Sequence, residues 1–299
     1  MKKAIFILGP TAVGKTYFSV KLAKEIGGEI ISADSVQIYK GLDIGSAKVT
    51  EAEMQGVKHY AIDILEPEQE FSVYEFVQYT KQKIDEILKK GKVPIIVGGT
   101  ALYVKALTLG YNFGGVETDK KLRNELEILA KEKGNDHLFE MLKEKNMEMA
   151  EKTDKFNTIR LVRALEIALS HGEKAKSEVD IDSLVIALVR DRQKLYADIN
   201  RRVDIMLENG LVDEVKGLMQ RGLTLENQSM KAIDYKEVYA YLKGEYDYDK
   251  MVELLKQHSR NYAKRQLTFL RGMENVNYID TEDREKAFEK LCKLVEKWK

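Results

Sequence analysis

The sequence predicts an α/β fold in which helices flank a parallel β-sheet and a helical insert interrupts the alternation. Short apolar runs alternate with helical patterns along the chain, an order that is typical of a parallel sheet covered on both faces. The runs with strand character cover residues 4–8, 29–33, 94–97 and 183–189. Between the third and fourth runs the chain is charged and helix-patterned with little strand signal, which indicates the insert.

The helices are predicted from apolar residues that recur at helical spacing. Two of them, residues 15–25 and 72–88, lie between the predicted strands, and Ser72 is the expected N-cap of the second. The insert is expected to form helices over residues 118–133, 136–145 and 157–170. After the last predicted strand, helices are expected over residues 195–207, 211–220 and 249–271.

Length and composition place the chain among ordinary globular proteins. Its 299 residues, 44% hydrophobic and 33% charged, are enough for one full core with an appendage. We therefore assign residues 1–114 and 183–299 to a core with C-terminal helices and residues 115–182 to a helical insert. No apolar stretch approaches the roughly 20 residues that a membrane span needs, so the cytoplasm is the expected compartment.

Cysteine and histidine usage argues against a disulfide or a zinc site. Cys292 is the only cysteine, and its helical spacing to Phe288 and Val295 indicates a core-facing residue rather than a nucleophile. The histidines lack the spacing of metal ligands and lie at His59, His137, His171 and His258. We therefore expect no structural zinc.

Net charge does not predict a nucleic-acid partner, because acidic and basic residues number 49 each. The distribution of charge is nevertheless uneven. Residues 256–271 contain no acid and include Lys256, Arg260, Lys264, Arg265 and Arg271. A second basic group comprises Arg190, Arg192, Lys194, Arg201 and Arg202. Taken alone, each such run is typical of a solvated helix face.

A phosphate-binding motif lies between the first predicted strand and the first predicted helix. It fits the pattern G-x-x-x-x-G-K-[ST] and comprises Gly9, Pro10, Thr11, Ala12, Val13, Gly14, Lys15 and Thr16. In such a P-loop, backbone amides and the helix N-terminus surround an anion. Lys15 is expected to reach the terminal phosphate, and the Thr16 hydroxyl to coordinate Mg²⁺. The pattern indicates a diphosphate or triphosphate ligand and leaves open whether that ligand is a nucleotide.

Further blocks of sequence follow the P-loop. They include Ala33-Asp34-Ser35-Val36-Gln37, Asp43-Ile44-Gly45-Ser46-Ala47-Lys48, Val97-Gly98-Gly99-Thr100, Arg160-Leu161-Val162-Arg163-Ala164-Leu165-Glu166, Arg202-Val203-Asp204 and Tyr262-Ala263-Lys264-Arg265-Gln266-Leu267-Thr268. In their order and spacing, over nearly the entire chain, these blocks resemble the tRNA dimethylallyltransferases, the prenyl transferases of the anticodon loop. The resemblance implies a P-loop NTPase-like fold, a helical insert that contacts tRNA, and a monomer.

The resemblance also implies a reaction and its site residues. The donor would be dimethylallyl diphosphate, and the acceptor would be the exocyclic amine of the adenosine 3′ of the anticodon in tRNA. The implied adenine pocket is lined by Asp34, Ser35, Val36, Gln37 and Thr100. The implied RNA contacts are Arg123, Ile159, Arg160, Leu161, Val162 and Arg163 in the insert, and Lys264, Arg265, Gln266, Thr268 and Arg271 near the C-terminus. A salt bridge to Glu166 is the alternative for Arg160 or Arg163.

Asp34 follows the second predicted strand, which places its carboxylate at the same sheet edge as the P-loop. We interpret it as the base that orients the adenine amine and takes its proton. A magnesium-associated or helix-capping aspartate is the alternative. Lys15, together with Mg²⁺ on Thr16, would stabilise the leaving diphosphate. Three tyrosines suit either base stacking or core packing, namely Tyr103, Tyr235 and Tyr262.

Two segments depart from the family pattern. Residues 154–157 stand where the family usually has a His-Pro-Asn-Asp type stretch, and Asp234 replaces a usual glycine. A glycine at such a place often provides a positive φ or steric clearance, and aspartate is less suited to both.

Two rival interpretations remain: a small-molecule kinase or NTPase, supported by the P-loop alone, and a noncatalytic RNA-binding protein with a relic phosphate site.

Overall fold

The computed structural model describes residues 1–108, 120–169 and 180–298. The chain forms two compact units, one comprising Met1–Leu109 with Val179–Lys299 and the other comprising Gly110–Glu178. The division drawn from the sequence, with the insert at residues 115–182, stays a prediction. Its first boundary at residues 114 and 115, the predicted helix ends Thr118 and Ser170, and His171 all lie outside the described residues.

Among the described residues, six strands form one sheet in the order β3-β2-β4-β1-β5-β6. The strands are β1 (Lys2–Leu8), β2 (Gly28–Ala33), β3 (His59–Tyr60), β4 (Val93–Gly98), β5 (Ile181–Val189) and β6 (Val276–Asp280). Every neighbouring pair is parallel, as predicted. Strand β1 lies inside the sheet, between β4 and β5. Because the strands are parallel, the loop that follows β1 lies at the carboxyl edge of the sheet, where ligands bind in folds of this kind.

The helices confirm most of the periodicity of the sequence. In chain order they are α1 (Lys15–Ile26), α2 (Glu51–Met54), α3 (Val73–Lys89), α4 (Ala101–Thr108), α5 (Lys120–Lys145), α6 (Met147–Glu151), α7 (Thr158–Leu169), α8 (Arg192–Glu208), α9 (Leu211–Gln220), α10 (Tyr235–Leu242), α11 (Tyr248–Arg271) and α12 (Arg284–Trp298). Ser72 caps α3 as predicted: its Oγ accepts from the Glu75 amide at 3.2 Å, and its own amide donates to Glu75 Oε2 at 2.7 Å. No described helix is long and apolar enough to cross a bilayer.

The core of the larger unit fixes the position of the P-loop. Ile5 and Ile7 of β1 pack in one apolar cluster with Phe18 and Leu22 of α1, and all four are buried. Burial of each such side chain stabilises the fold by roughly 1.5–3 kcal/mol. The strand before the loop and the helix after it are therefore held together. Cys292 packs against the same cluster, which confirms the core-facing position predicted from its spacing.

The insert has its own small core. Helix α5 is interrupted at Gly134, whose φ of 79° and ψ of 171° break the helix where the sequence predicted two segments. Leu138 of α5 and Leu161 of α7 are among the buried residues that join these helices. The buried carboxylate of Glu166 lies 2.7 Å from Arg123 and 2.8 Å from Arg163. These pairs match the salt-bridged alternative for Arg163.

Asp234, the residue that replaces a usual glycine, adopts a strained conformation. Its φ is +77°, and its carboxylate is buried at the start of α10. Burial, reinforced by Glu237, raises the pKa of Asp234 to about 7. The Asp234 amide donates to Glu237 Oε2 at 2.8 Å, and Ser259 Oγ donates to Asp234 Oδ1 at 3.1 Å. A charged carboxylate and a positive φ therefore both disfavour the folded state at this position.

Asp234→Gly is expected to raise the free energy of unfolding by about 1 kcal/mol, because glycine adopts a positive φ without strain. The pKa of Asp234 is about 7 in the folded protein and about 3.9 in the unfolded chain. The free energy of unfolding of the wild type therefore falls as pH rises between these values. The gain should thus be larger at pH 8 than at pH 4. Urea unfolding at both pH values tests this, and Asp234→Asn separates charge from strain. A less stable glycine variant at both pH values would contradict the account.

Candidate active site

The P-loop has the backbone that an anion site requires. It runs from the end of β1 to the start of α1, and Gly14 caps α1 with a φ of +93°, which L-residues with a side chain rarely adopt. Lys15 Nζ donates to the carbonyl oxygens of Gly9 at 3.0 Å and Pro10 at 2.8 Å. The ammonium group is therefore held within the same loop whose amides would surround a bound phosphate.

Electrostatics at Lys15 favour a ligand that brings negative charge. Burial, reinforced by the neighbouring Arg202 guanidinium and partly opposed by the Asp34 carboxylate, lowers the pKa of Lys15 to about 8. Burial also lowers the pKa of Arg202, while Asp234 and Asp34 raise it. Two desolvated cations thus lie close to one carboxylate. A diphosphate would relieve their mutual repulsion.

Asp34 is oriented by its own turn at the end of β2. Its Oδ1 accepts from the amides of Val36 at 2.9 Å and Gln37 at 3.3 Å. The residues that follow form a turn and no helix, so the helix-capping alternative for Asp34 is wrong. The Ser35 amide donates to Thr100 Oγ1 at 3.3 Å, which ties this turn to the loop after β4.

One open pocket joins these elements, and its volume of about 410 Å³ includes space that is open to solvent. Its lining includes Lys15, Thr16, Asp34 and Gln37, together with Ser32 and Gly98. The structure thus brings the P-loop and the turn that contains Asp34 and Gln37 together at the carboxyl edge of the sheet. Convergence of these blocks was expected from the positions of the strands.

The donor set in this pocket fits Mg²⁺. The Thr16 hydroxyl and the Asp34 carboxylate line the same pocket, and both offer the hard oxygen ligands that this ion prefers. Within the described part of the chain, no cluster of three or more His, Cys, Asp or Glu side chains is arranged to hold a metal. The remaining ligands would be diphosphate oxygens and water, as is usual for Mg²⁺.

Gln266, expected at the tRNA surface, has a different environment. It is 5% exposed. Its Oε1 accepts from the Thr11 amide at 3.0 Å, and its Nε2 donates to the Gly99 carbonyl at 3.1 Å. A Cβ on Gly99 would lie 2.0 Å from that Nε2, so a side chain there would displace the Gln266 amide. Gln266 therefore ties α11 to the P-loop and to the loop after β4.

The other predicted α11 contacts lie on the surface. The exposed side chains are Lys264, Arg265, Thr268 and Arg271. Earlier in the helix, Lys256 pairs with Asp204 at 2.6 Å, and Arg260 donates to Asn200 Oδ1 at 2.6 Å, both on α8. Within residues 256–271, the exposed basic side chains that could contact RNA therefore lie in the last two turns of α11.

The second basic group is largely engaged in local contacts. Arg190 pairs with Asp198 at 2.6 Å, and Arg201 lies 3.8 Å from the same carboxylate. Lys194 pairs with Glu282. These contacts fit the solvated-face interpretation. Arg202, which no motif of the sequence assigns to the site, is the exception because its charge acts on Lys15.

In the insert, the predicted RNA contacts differ in exposure. Ile159 is 83% exposed and Arg160 is exposed on the surface of α7. Leu161 and Val162 lie in the apolar core of the insert, so their side chains have no surface to offer. Asn157 Oδ1 accepts from the Arg160 amide at 3.1 Å and thereby caps α7 within the segment that departs from the family pattern.

The three tyrosines considered for base stacking separate clearly. Tyr103 and Tyr235 are buried, and Tyr103 stacks on Phe76 with ring centroids 3.8 Å apart, so both are core residues. Tyr262 is half-buried beside Asp34. Burial raises the pKa of Tyr262 to about 12, with a further contribution from the Asp34 carboxylate. Its hydroxyl therefore stays neutral at physiological pH.

Donor affinity is expected to fall as pH rises above about 8, because Lys15 then loses the charge that contacts the diphosphate. The fall should approach tenfold per pH unit for the loss of one proton. The diphosphate itself is already ionised in this range, since the second phosphate pKa is about 6. Equilibrium binding of dimethylallyl diphosphate across this range measures the effect, and Lys15→Ala should flatten it. An affinity that does not change with pH in the wild type would contradict the assignment.

Comparisons with known proteins agree with this architecture. The sequence model of the IPP transferase family matches residues 37–273. A tRNA dimethylallyltransferase of Clostridioides difficile strain 630 is 48% identical in an alignment of 294 positions that covers 95% of this chain and 94% of that protein. The solved structure of the full-length tRNA isopentenylpyrophosphate transferase from Bacillus halodurans is 41% identical, with a TM-score of 0.76 and coverage of 100% and 98% of the two chains.

A more distant solved structure shares the same fold. It is a eukaryotic dimethylallyltransferase acting on tRNA, 28% identical, with a TM-score of 0.83 over 96% of this chain and 75% of that one. These neighbours share the P-loop NTPase-like arrangement of a parallel sheet flanked by helices. With most of its length matched at this level of identity, the chain belongs to the IPP transferase family, whose curated relatives are tRNA dimethylallyltransferases.

Proposed function

We propose that this protein transfers the dimethylallyl group of dimethylallyl diphosphate to the exocyclic amine of the adenosine 3′ of the anticodon in tRNA, with release of diphosphate. The observation that carries the proposal is the single pocket lined by Lys15, Thr16, Asp34 and Gln37. Direct transfer requires that the site for the donor diphosphate and the site for the adenine lie within reach of one another, because the adenine amine must approach the allylic carbon of the donor. Membership of the IPP transferase family supports the same assignment.

The donor half of the reaction depends on the P-loop. As the allylic carbon–oxygen bond breaks, its electron pair passes to the diphosphate oxygen, where negative charge develops. The Lys15 ammonium and the amides at the N-terminus of α1 would stabilise that charge. Arg202, close enough to lower the pKa of Lys15, adds a second cation. When bound through Thr16, Mg²⁺ would neutralise part of the diphosphate charge.

The acceptor half depends on Asp34. The adenine amine forms the new carbon–nitrogen bond, and the proton that it loses passes to the Asp34 carboxylate. Because Oδ1 is engaged by the amides of Val36 and Gln37, we assign the proton to Oδ2. The adenine must leave its stack to enter the pocket, at a cost of a few kcal/mol that is smallest in an unpaired loop.

The exposed last turns of α11 are proposed to bind tRNA phosphates. Arg265→Glu or Arg271→Glu should weaken tRNA binding and reduce its salt dependence by about one phosphate contact, while donor affinity is unchanged. Filter binding over a salt series measures both quantities. Lys293→Glu, an exposed site on α12, is the matched control. Equal tRNA affinity of Arg265→Glu and wild type at every salt concentration would return α11 to the solvated-face interpretation.

Label transfer tests the proposed function against its rivals. Unmodified tRNA is incubated with Mg²⁺ and either dimethylallyl diphosphate labelled in the prenyl group or ATP labelled in the terminal phosphate. We expect label to enter tRNA from the prenyl donor and no transfer from ATP. Phosphate transfer from ATP would favour the kinase interpretation. Tight tRNA binding without transfer from either donor would favour the noncatalytic RNA-binding interpretation.

We propose that the protein acts as a monomer in the cytoplasm, where tRNA is its partner. The resemblance to the family supports both statements. Sedimentation velocity of the purified protein tests the first: a single species near the 34.3 kDa mass of one chain is expected. A dimer at micromolar concentration would contradict it. Fractionation of cells tests the second.

A further inference from the structure

Glu214, in the first turn of α9, holds a loop that the reaction itself does not use. Its Oε2 accepts from the backbone amides of Asp43 at 2.9 Å and Ile44 at 2.8 Å. Its Oε1 accepts from the Gly45 amide at 3.1 Å and from the Tyr235 hydroxyl at 2.7 Å. Hydrogen bonds to an ionised acceptor are about twice as strong as neutral ones. One carboxylate therefore anchors successive amides of the same loop.

The anchored loop combines internal hydrogen bonds with support from outside. Within it, the amides of Ala47 and Lys48 donate to the carbonyl oxygens of Ile44 at 3.0 Å and Asp43 at 2.9 Å, so residues 46–48 follow the position of residues 43–45. Ala47 has a φ of +44°, which a residue with a side chain adopts at a cost of roughly 1–2 kcal/mol. Gly45 lies against the buried ring of Tyr235, where a Cβ would be 2.6 Å from the nearest ring atom. Glu214 and Tyr235 are thus the external supports of the loop. Lys48 closes its far end by pairing with Asp43 at 2.6 Å.

The loop determines the orientation of the Gln37 amide. Gln37 Nε2 donates to the carbonyl oxygens of Ser46 at 3.3 Å and Ala47 at 3.2 Å, which occupies both of its hydrogens. Gln37 Oε1 accepts from Ser32 Oγ at 3.2 Å. An amide oxygen has two lone pairs, so one acceptor site of Gln37 is left for a ligand. Gln37 and Ser32 both line the pocket of Asp34.

We propose that Glu214 is a positioning residue that makes the acceptor pocket selective for adenine. By holding residues 43–45, it keeps the carbonyls of Ser46 and Ala47 in place, and these fix Gln37 with its oxygen available to the base. An acceptor at this place pairs with the exocyclic amine of adenine and leaves the corresponding carbonyl oxygen of guanine or hypoxanthine without a donor. The inference rests on the proposed function, since it identifies how the same pocket distinguishes bases.

Binding measurements separate this inference from the transfer reaction. Equilibrium dissociation constants are measured for two unmodified tRNAs that differ only in adenosine or inosine at the position 3′ of the anticodon. Wild type should prefer the adenosine tRNA. Glu214→Ala frees the loop, allows the Gln37 amide to turn, and should reduce that preference by about tenfold, the value of one net hydrogen bond. Asp213→Ala, an exposed acid on the same helix, should leave the preference unchanged.

Coupling to Gln37 distinguishes positioning from general stability. Gln37→Ala should lose the same preference, and the double variant Gln37→Ala with Glu214→Ala should lose no more, because both act through one amide. Glu214→Gln keeps an acceptor oxygen and should restore part of the preference. If Glu214→Ala does not fold, Glu214→Gln against wild type carries the comparison. Additive losses, or an unchanged preference in a folded Glu214 variant, would overturn the inference; absence of prenyl transfer by wild type would overturn only the proposed function.

Discussion

Asp34→Asn is expected to slow the chemical step by about 10²- to 10⁴-fold, the usual contribution of general acid–base catalysis. Asparagine keeps the shape of the side chain and an oxygen that can accept from the Val36 and Gln37 amides. It cannot take the proton that the adenine amine loses. The affinities for tRNA and donor should therefore change much less than the rate.

The same variant distinguishes the two remaining roles of Asp34. If Asp34 mainly holds Mg²⁺, Asp34→Asn should lose affinity for the metal-bound diphosphate, and high Mg²⁺ should restore part of the rate. Single-turnover rates at saturating tRNA and donor, at low and high Mg²⁺, decide between them. Asp213→Asn, on the surface of α9, is the matched control. A wild-type rate at both Mg²⁺ concentrations would remove Asp34 from the catalytic residues.

Lys15→Ala is expected to abolish prenyl transfer to the limit of detection, a loss of at least about 10²-fold, and to weaken donor binding. The variant removes the ammonium that the P-loop carbonyls of Gly9 and Pro10 hold. The charge developing on the leaving diphosphate would then have one cation fewer near it, and tRNA affinity should stay the same.

Steady-state rates and equilibrium donor binding measure the effect of Lys15→Ala. Lys24→Ala provides the control, because Lys24 is exposed on the same helix and its amine contacts only the Gln55 side chain among the described hydrogen bonds. Transfer at the wild-type rate by Lys15→Ala would contradict the assignment of the P-loop to the donor diphosphate.

Much of the fold was predictable from local sequence. Buried runs such as residues 4–8 and 183–189 became β1 and β5, and the periodicity of residues 211–220 gave the bounds of α9. Strands β3 and β6 were missed. The first has two residues, and the second lies at the edge of the sheet with polar Asn277 among apolar neighbours, so neither has a strong apolar pattern.

The site was predictable only where a motif or a strand end marked it. The P-loop and Asp34 follow buried strands, and the rule that ligands bind at carboxyl strand ends brought them together. Gln266 belongs to a motif block, but its burial beneath the P-loop depends on how α11 packs, which sequence spacing does not specify. Arg202 and Glu214 act on residues far away in sequence, so tertiary contacts alone identify them.

Nucleoside mass analysis, after incubation of the protein with an unmodified tRNA, Mg²⁺ and dimethylallyl diphosphate, tests the proposed reaction itself. The tRNA is digested, and the modified position is mapped from the masses of its fragments. We expect a mass increase of one dimethylallyl group on the adenosine 3′ of the anticodon, and none when Lys15→Ala replaces wild type. An unmodified anticodon loop, or a prenyl group on any other nucleoside, would contradict it.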